Sequence, residues 1–430
     1  MTLNKITFIR TIFNSQSARK FSIKSSKCEA VVSQSEVRQS WYQAVDDAIQ
    51  CIKYQSPFPK LRYMTTNKHV NWLSNLEKLE KIDHPLRETA KIIFTEKNAT
   101  ANQIWGIVAL LVSKLASYPN KNLWNEKDFD KETGILKDQR KLSEYIEYLA
   151  FQNEIHRDGV LNMHHFNKNA LNLDNDDPLI FGNKIAILTG DMMLGFPSLQ
   201  IAKLKNYKVT AIMSSTVTDT ADFSFLGECD IQNNLLPSDP IKKLEEQKQN
   251  PKVFEEISTD EIDVMLPFKV HDVMGTAENE WKLRHTLGGA TRLGKSFQAL
   301  LILAKHNEEK QKEIYFMGKH MYLSYRASRD LNIFISNEVP LNGKFLLISA
   351  PLLFHLEKDP SLFEEIKKGS ESIENINFHK LHKIVRNGPG MDKTKELLND
   401  NMSIALNLLY KFPKCESRKA IENLILALES

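Results

Sequence analysis

Beyond about Ser35 the apolar residues of this chain recur every three or four positions, and segments that alternate apolar with polar are few. A spacing near 3.6 lines one face of an α-helix, whereas a half-buried strand needs a period of two. The pattern therefore specifies an all-α fold. Amphipathic stretches cover Val70–Leu79, Pro85–Thr95, Asn102–Leu115, Lys141–His156 and Gly182–Leu194. They resume over Trp281–His306, Lys310–Asn332, Lys344–Leu356, Ile373–Asn387, Asp392–Leu409 and Ser417–Leu428. Pro85 suits a first helical turn, and Gly388-Pro389-Gly390 marks a stop and restart. The run Ile104-Trp105-Gly106-Ile107-Val108-Ala109-Leu110-Leu111-Val112 is apolar all round. Such a helix is buried on most sides, in a core or against another chain, and the sequence leaves the two open.

With 430 residues the chain can bury a large core. Residues 1–27 contain no Asp or Glu, while Lys5, Arg10, Arg19, Lys20, Lys24 and Lys27 are spread among apolar and hydroxyl residues. That is the composition of a mitochondrial transit peptide, so the mature chain is expected in the matrix. Residues 28–60 read as an N-terminal extension and 61–430 as one helical domain. Within it, 232–278 carries Pro237, Pro240, Pro251, Pro267 and the charged run Lys242–Lys248, and reads as an inserted flexible loop with a short helix. The net charge of +3 is small for the length and concentrated at the N-terminus, so no nucleic-acid partner is expected. Cys28, Cys51, Cys229 and Cys415 show no C-x-x-C spacing, which disfavours zinc and disulfides alike. No uninterrupted apolar run is long enough to span a bilayer, which leaves at most peripheral membrane contact.

Two short stretches match each other: Arg157-Asp158 followed by Leu161, and Arg329-Asp330 followed by Ile333, each at the end of a helical run. The first, second and fifth positions of such a stretch share a helix face, and three acids there would hold a metal ion. With one acid in each, the residues alone permit two readings: ordinary Arg-Asp helix ends, or metal sites that have lost most ligands. His156-Arg157-Asp158 and Asp222-Phe223 superficially match the catalytic motifs of protein kinases. Met163 stands where the Asn is required, Ser224 replaces the Gly, and no glycine-rich strand precedes them. His84, His285 and His355 have no second ligand at metal spacing, and the adjacent pair His164-His165 does not face one ion.

The order of the short motifs is more specific than any one of them. Gly182-Asn183-Lys184 leads to Gly190-Asp191, Gly227-Glu228 follows, and Gly318-Lys319 leads into Arg329-Asp330, with Ser349-Ala350-Pro351 and Phe412-Pro413 beyond. From about Val70 onward this set closely resembles the trans-isoprenyl diphosphate synthases, and within them the second subunits of heteromeric decaprenyl and solanesyl members. The resemblance implies a polyprenyl synthase helical bundle and its chemistry. An allylic diphosphate ionises, isopentenyl diphosphate attacks the carbocation, and Mg²⁺ held by two facing Asp-rich helices clamps the departing diphosphate. Basic residues on an early helix cradle the second diphosphate.

Aligned on that family, this chain departs at the sites of chemistry. The two D-D-x-x-D motifs are degenerate: Arg157, Asp158 and Leu161 stand at the first, and Arg329, Asp330 and Ile333 at the second. Each trio moves from about −3 to about 0 in charge, and a dication gains little there. Arg157 and Arg329 are expected to neutralise Asp158 and Asp330. The cradle corresponds to Ala101, Asn102, Gln103, Trp105 and Gly106, without its cations. The family's Lys-Thr pair is missing, although Lys282, Arg284 and Thr286 lie nearby. Gly182, Asn183, Lys184, Gly190 and Asp191 are retained, and Lys184 and the Gly190-Asp191 step are read mainly as packing and helix-start features. The resemblance thus implies a chain that binds no metal or cofactor itself and acts as the non-catalytic subunit of a heterotetramer. Its partner would be a catalytic polyprenyl diphosphate synthase subunit that carries Mg²⁺, and isoprenoid diphosphates would be handled through the complex to make the ubiquinone side chain. Two other readings stay open. One is an autonomous Mg²⁺-dependent prenyltransferase whose weak metal site uses Asp158, Asp330 and Glu154, and the other an isoprenoid-binding protein without an enzyme partner.

Overall fold

A computed structural model describes residues 40–52, 104–131, 133–158, 178–230, 234–249, 251, 274–336, 339 and 344–429. The sequence expectations for 1–27, Val70–Leu79, Pro85–Thr95 and most of 250–273 lie outside the described residues, as do Cys28, His84, His164 and His165. Helices α1 (Trp41–Ile52), α2 (Ile104–Ala116), α3 (Lys137–Asp158), α4 (Pro178–Lys203) and α5 (Tyr207–Ser224) come first. They are followed by α6 (Pro240–Gln249), α7 (Ala277–His285), a π-turn over Thr286–Ala290, α8 (Thr291–Leu303) and α9 (Glu308–Ile335). The chain ends with α10 (Ala350–Lys358), α11 (Phe363–Lys367), α12 (Phe378–Arg386), α13 (Gly390–Leu409) and α14 (Glu416–Leu426). Among the described residues the only β-type pairing is two isolated bridges.

Several ends are set by local chemistry. Asn307 caps α9 by accepting from Lys310 N–H, with Glu308 and Glu309 in the first turn, where acids suit the positive end of the helix dipole. Thr276 caps α7 and Asn377 caps α12 in the same way. Other ends differ from the periodicity. The Lys344–Leu356 stretch becomes helical only at Ala350, and the Trp281–His306 stretch is broken by the π-turn. The reading of Gly182–Leu194 extends in both directions, and α4 continues through Pro197.

The bundle is built around α9, which packs against α13 on one side and α8 on the other. α3 pairs with α4, α8 with α5, and α14 with α1 and α2. The apolar run of α2 lies in the core: Val108, Ala109, Leu111 and Val112 are fully buried. This settles the sequence ambiguity, because the run meets the chain's own helices. A second core, around Phe334, Phe345, Leu352, Leu381 and Val385, joins the end of α9 to α10 and α12.

By length and composition Phe181–Lys203 is long and apolar enough to cross a membrane, but Lys184 and Asp191 interrupt its apolar sequence. One expectation changes. Gly182, Asn183 and Lys184 lie in the second turn of α4, and Gly190 and Asp191 at its middle, so none is a helix-start residue.

Candidate functional site

The second Arg-Asp stretch lies in the last two turns of α9. Asp330 is fully buried. Its Oδ2 accepts from the Trp281 indole N–H on α7 (2.9 Å) and from the Ala350 N–H that opens α10 (2.9 Å). The Arg326 guanidinium, one turn earlier on the same face, reaches its Oδ1 at 2.7 Å. This corrects the sequence pairing. The cation on Asp330 is Arg326 at i−4, because adjacent residues on a helix diverge by about 100°. Arg329 is half-buried and faces Tyr42 on α1, whose phenol burial pushes up while the guanidinium works against the shift. Ile333 packs its side chain into the second core, and its carbonyl accepts from His382 Nε2 (2.9 Å).

Trp105, which the sequence resemblance aligns with the diphosphate cradle, sits in an aromatic group. Asn102 and Gln103 lie outside the described residues, but Trp105 packs on Tyr325 at 5.1 Å, edge to face, and on Tyr322 at 5.7 Å. Trp41 of α1 completes the group, 6.0 Å from Tyr325. The neighbouring π-turn fits only because of Gly289, where a Cβ would come within 2.1 Å of the Tyr322 ring. Thr286 and Thr291, on either side, are wholly buried. Arg284 is also wholly buried, committed to the carbonyls of Leu226 and Leu236 (each 2.8 Å) and to Glu280.

The first Arg-Asp stretch ends α3. Arg157 and Asp158 are its last two residues; their side chains and that of Glu154, together with Leu161, lie outside what is described. His156 beside them is placed in detail. Its Nδ1 lies 2.9 Å from Gln152 Nε2, and its Nε2 lies 3.2 Å from the Ile187 carbonyl and 3.6 Å from Asp191. The tautomer that satisfies these neighbours carries its proton on Nε2. The ring crosses α4 over Gly190, where a Cβ would stand 2.0 Å from Nε2. Retention of Gly190 therefore has a packing cause. Gly182 is buried and Asn183 half-buried in α4, while Lys184 is exposed.

No family model matches the chain. It is 28% identical over 397 residues to the all trans-polyprenyl-diphosphate synthase PDSS2 of Mus musculus, covering 90% of this chain and 87% of that protein. The Homo sapiens protein of the same name is 29% identical over 398 residues, with the same coverage. This chain is a relative of the polyprenyl diphosphate synthases. The mitochondrial hexaprenyl pyrophosphate synthase of Saccharomyces cerevisiae is 27% identical over 319 residues, covering 69% of this chain and 64% of that one. The polyprenyl synthase fold is matched by a decaprenyl diphosphate synthase from Rhodobacter capsulatus, with a TM-score of 0.55 at 12% identity over 90% of this chain and 98% of that one. A polyprenyl synthase from Caulobacter crescentus, solved with calcium and isoprenyl diphosphate, gives 0.51 at 13% identity, with the same coverage.

The residues that the sequence resemblance aligns with the second Asp-rich motif, Arg329, Asp330 and Ile333, do not fit Mg²⁺. A hard dication needs several free carboxylate or carbonyl oxygens. Here the sole carboxylate of the trio already accepts two N–H donors at Oδ2 and has the Arg326 guanidinium beside Oδ1, and its motif neighbours are a cation and an apolar side chain. Among the described residues, no group of three or more His, Cys, Asp or Glu could hold a metal ion. Sequence reasoning missed Arg326 and Trp281. The i,i+4 spacing could have found Arg326, whereas nothing local signals a Trp 49 residues away.

Proposed function

We propose that this chain is the non-catalytic subunit of a heteromeric trans-polyprenyl diphosphate synthase, acting in the mitochondrial matrix beside a catalytic sister subunit. One observation carries the reading: Asp330 is fully buried, its Oδ2 already accepts from Trp281 and Ala350, and the Arg326 guanidinium lies 2.7 Å from its Oδ1, so a cation of the chain already stands where a metal-bound diphosphate would have to be clamped. The aromatic packing of Trp105 supports it, because aromatic faces repel a polyanion where the family places cations. The mitochondrial name of the yeast relative supports the location, together with the basic, acid-free first 27 residues. The sister subunit supplies Mg²⁺ and the reacting diphosphates. This chain supplies a folded partner of matching architecture, and the assembly is a heterotetramer that makes the ubiquinone side chain.

The test is co-expression of this chain with a catalytic synthase subunit from the same source, followed by assay of isopentenyl diphosphate incorporation and product length. Each chain alone should show little turnover, and the pair should restore it. Mg²⁺-dependent turnover by this chain alone would overturn the reading, as would a sister subunit whose activity and yield are indifferent to it. Isoprenoid binding without a co-purifying synthase would favour a lipid-binding role instead.

A further inference from the structure

Helix α1 is held differently at its two ends. At the C-terminal end the Lys114 ammonium of α2 donates to the carbonyls of Cys51 (3.1 Å) and Ile52 (3.4 Å), and the Cys51 thiol lies 3.9 Å from the Ser417 hydroxyl on α14. Last-turn carbonyls have no partner within their own helix, and a cation suits the negative end of its dipole. At the N-terminal end the hold is made by rings. Trp41 packs on Tyr325 of α9 at 6.0 Å, and its neighbour Tyr42, 37% exposed, faces Arg329. Tyr325 and Arg329 are four residues apart and share one face of α9. Between its ends α1 buries Ala44, Val45 and Ala48, small side chains that remove little apolar surface from water.

We propose that α1 is a hinged cover over this face of α9, fixed at its Ile52 end and opening at its Trp41 end. A helix of 12 residues is marginal in water by itself, so α1 stays helical only while it is docked. Opening therefore undocks and unwinds the Trp41 end together, as a local event that leaves the packing of α9 on α13 intact. What it uncovers is specific. Tyr325 keeps its edge-to-face contact with Trp105 but loses Trp41, and the Arg329 guanidinium comes into the open, so an aromatic surface carrying one cation is presented beside the locked Asp330. The closed state withholds that surface, and the open fraction of α1 sets how readily solutes reach it. The device belongs to this chain by itself and does not rest on the sister-subunit reading.

Hydrogen–deuterium exchange of the full chain, read by mass spectrometry, tests it. In the wild type the α1 amides bonded within the helix should exchange at least about a hundredfold faster than those of α9 and α13, and fastest toward Trp41. Trp41→Ala should speed α1 a further tenfold or so, about the loss of one ring contact, and leave the slowest amides of α9 and α13 unchanged. Trp41→Phe, which keeps a ring, should stay near wild type. Lys114→Met should let the Ile52 end exchange as fast as the Trp41 end. A second readout is access to Arg329. Phenylglyoxal, an arginine reagent, should modify Arg329 about fivefold faster in Trp41→Ala than in the wild type, with Arg386 on α12 as the unaffected reference. The proposal is overturned if α1 exchanges only with the global unfolding that frees α9 and α13. It is overturned equally if Trp41→Ala speeds all three helices alike, or if Arg329 reacts at the same rate in both proteins.

Discussion

Asp330 gathers donors from three helices. Trp281 comes from α7, Ala350 opens α10, and Arg326 lies on α9 with the aspartate itself. A buried carboxylate is tolerated only where such partners replace water, so the group functions as a tie between elements. Asp330→Ala would strand the Arg326 charge and two N–H donors in the core. It should cost about 3–5 kcal/mol in denaturant unfolding, and Arg326→Ala a similar amount. A loss for Asp330→Ala within about 1 kcal/mol, the range of an exposed ion pair, would show that the tie does not hold these helices together. The aspartate itself was legible from its motif position. Its partners were not, because two of the three come from residues distant in sequence that only the packing of α7 and α10 brings to it.

At the scale of elements, a buried ionic network anchors the entry to α6. Glu280 and Arg284, both wholly buried on α7, bind the chain on either side of residues 231–233. Arg284 donates to the Leu226 and Leu236 carbonyls. Glu280 accepts from Ser238 N–H (3.0 Å) and pairs with Lys243 (2.7 Å). Burial alone would raise the Glu280 carboxyl, but Lys243 and Arg284 outweigh it and hold the group below its ordinary value of 4.5. A depressed carboxyl means that the unfolded chain binds the proton more readily. The stabilisation is therefore complete above the ordinary glutamate value and disappears as pH falls through the lower native one. Glu280→Gln should lower the melting temperature at pH 7 and flatten its decline toward acid. An unchanged acid profile would exclude Glu280 as the titrating group. The helices themselves were legible because burying one face imposes the 3.6 period, and α9 and α13 follow their apolar positions closely. What escaped the pattern was set by distant contacts. α10 begins at Ala350, where a carboxylate twenty residues upstream accepts its first N–H, and the break before α8 is fixed by the Tyr322 ring against Gly289.

At the scale of the whole molecule, the departures from the catalytic pattern support one another. The Asp330 carboxylate is committed to α7 and α10, Ile333 packs against the second core, and Trp105, which the resemblance aligns with the cradle, packs on two tyrosines of α9. Restoring the missing acids alone therefore does not recreate a metal site. In the variant Arg329→Asp/Ile333→Asp the acidic motif is complete in sequence, yet Asp330 still has its two N–H donors and Arg326 in place. An aspartate at 333 must also enter an apolar cluster, at a cost of several kcal/mol if it stays ionised there. The variant should fold less stably than the parent and show no Mg²⁺-dependent incorporation of isopentenyl diphosphate. Adding Arg326→Gln frees one side of Asp330 but leaves the Trp281 and Ala350 contacts and the aromatic cradle, so turnover should still be absent. Turnover from either variant without a sister subunit would mean that the lost acids alone separate this chain from an autonomous synthase. Continued silence would place the difference in the repacked core, where no single substitution reverses it.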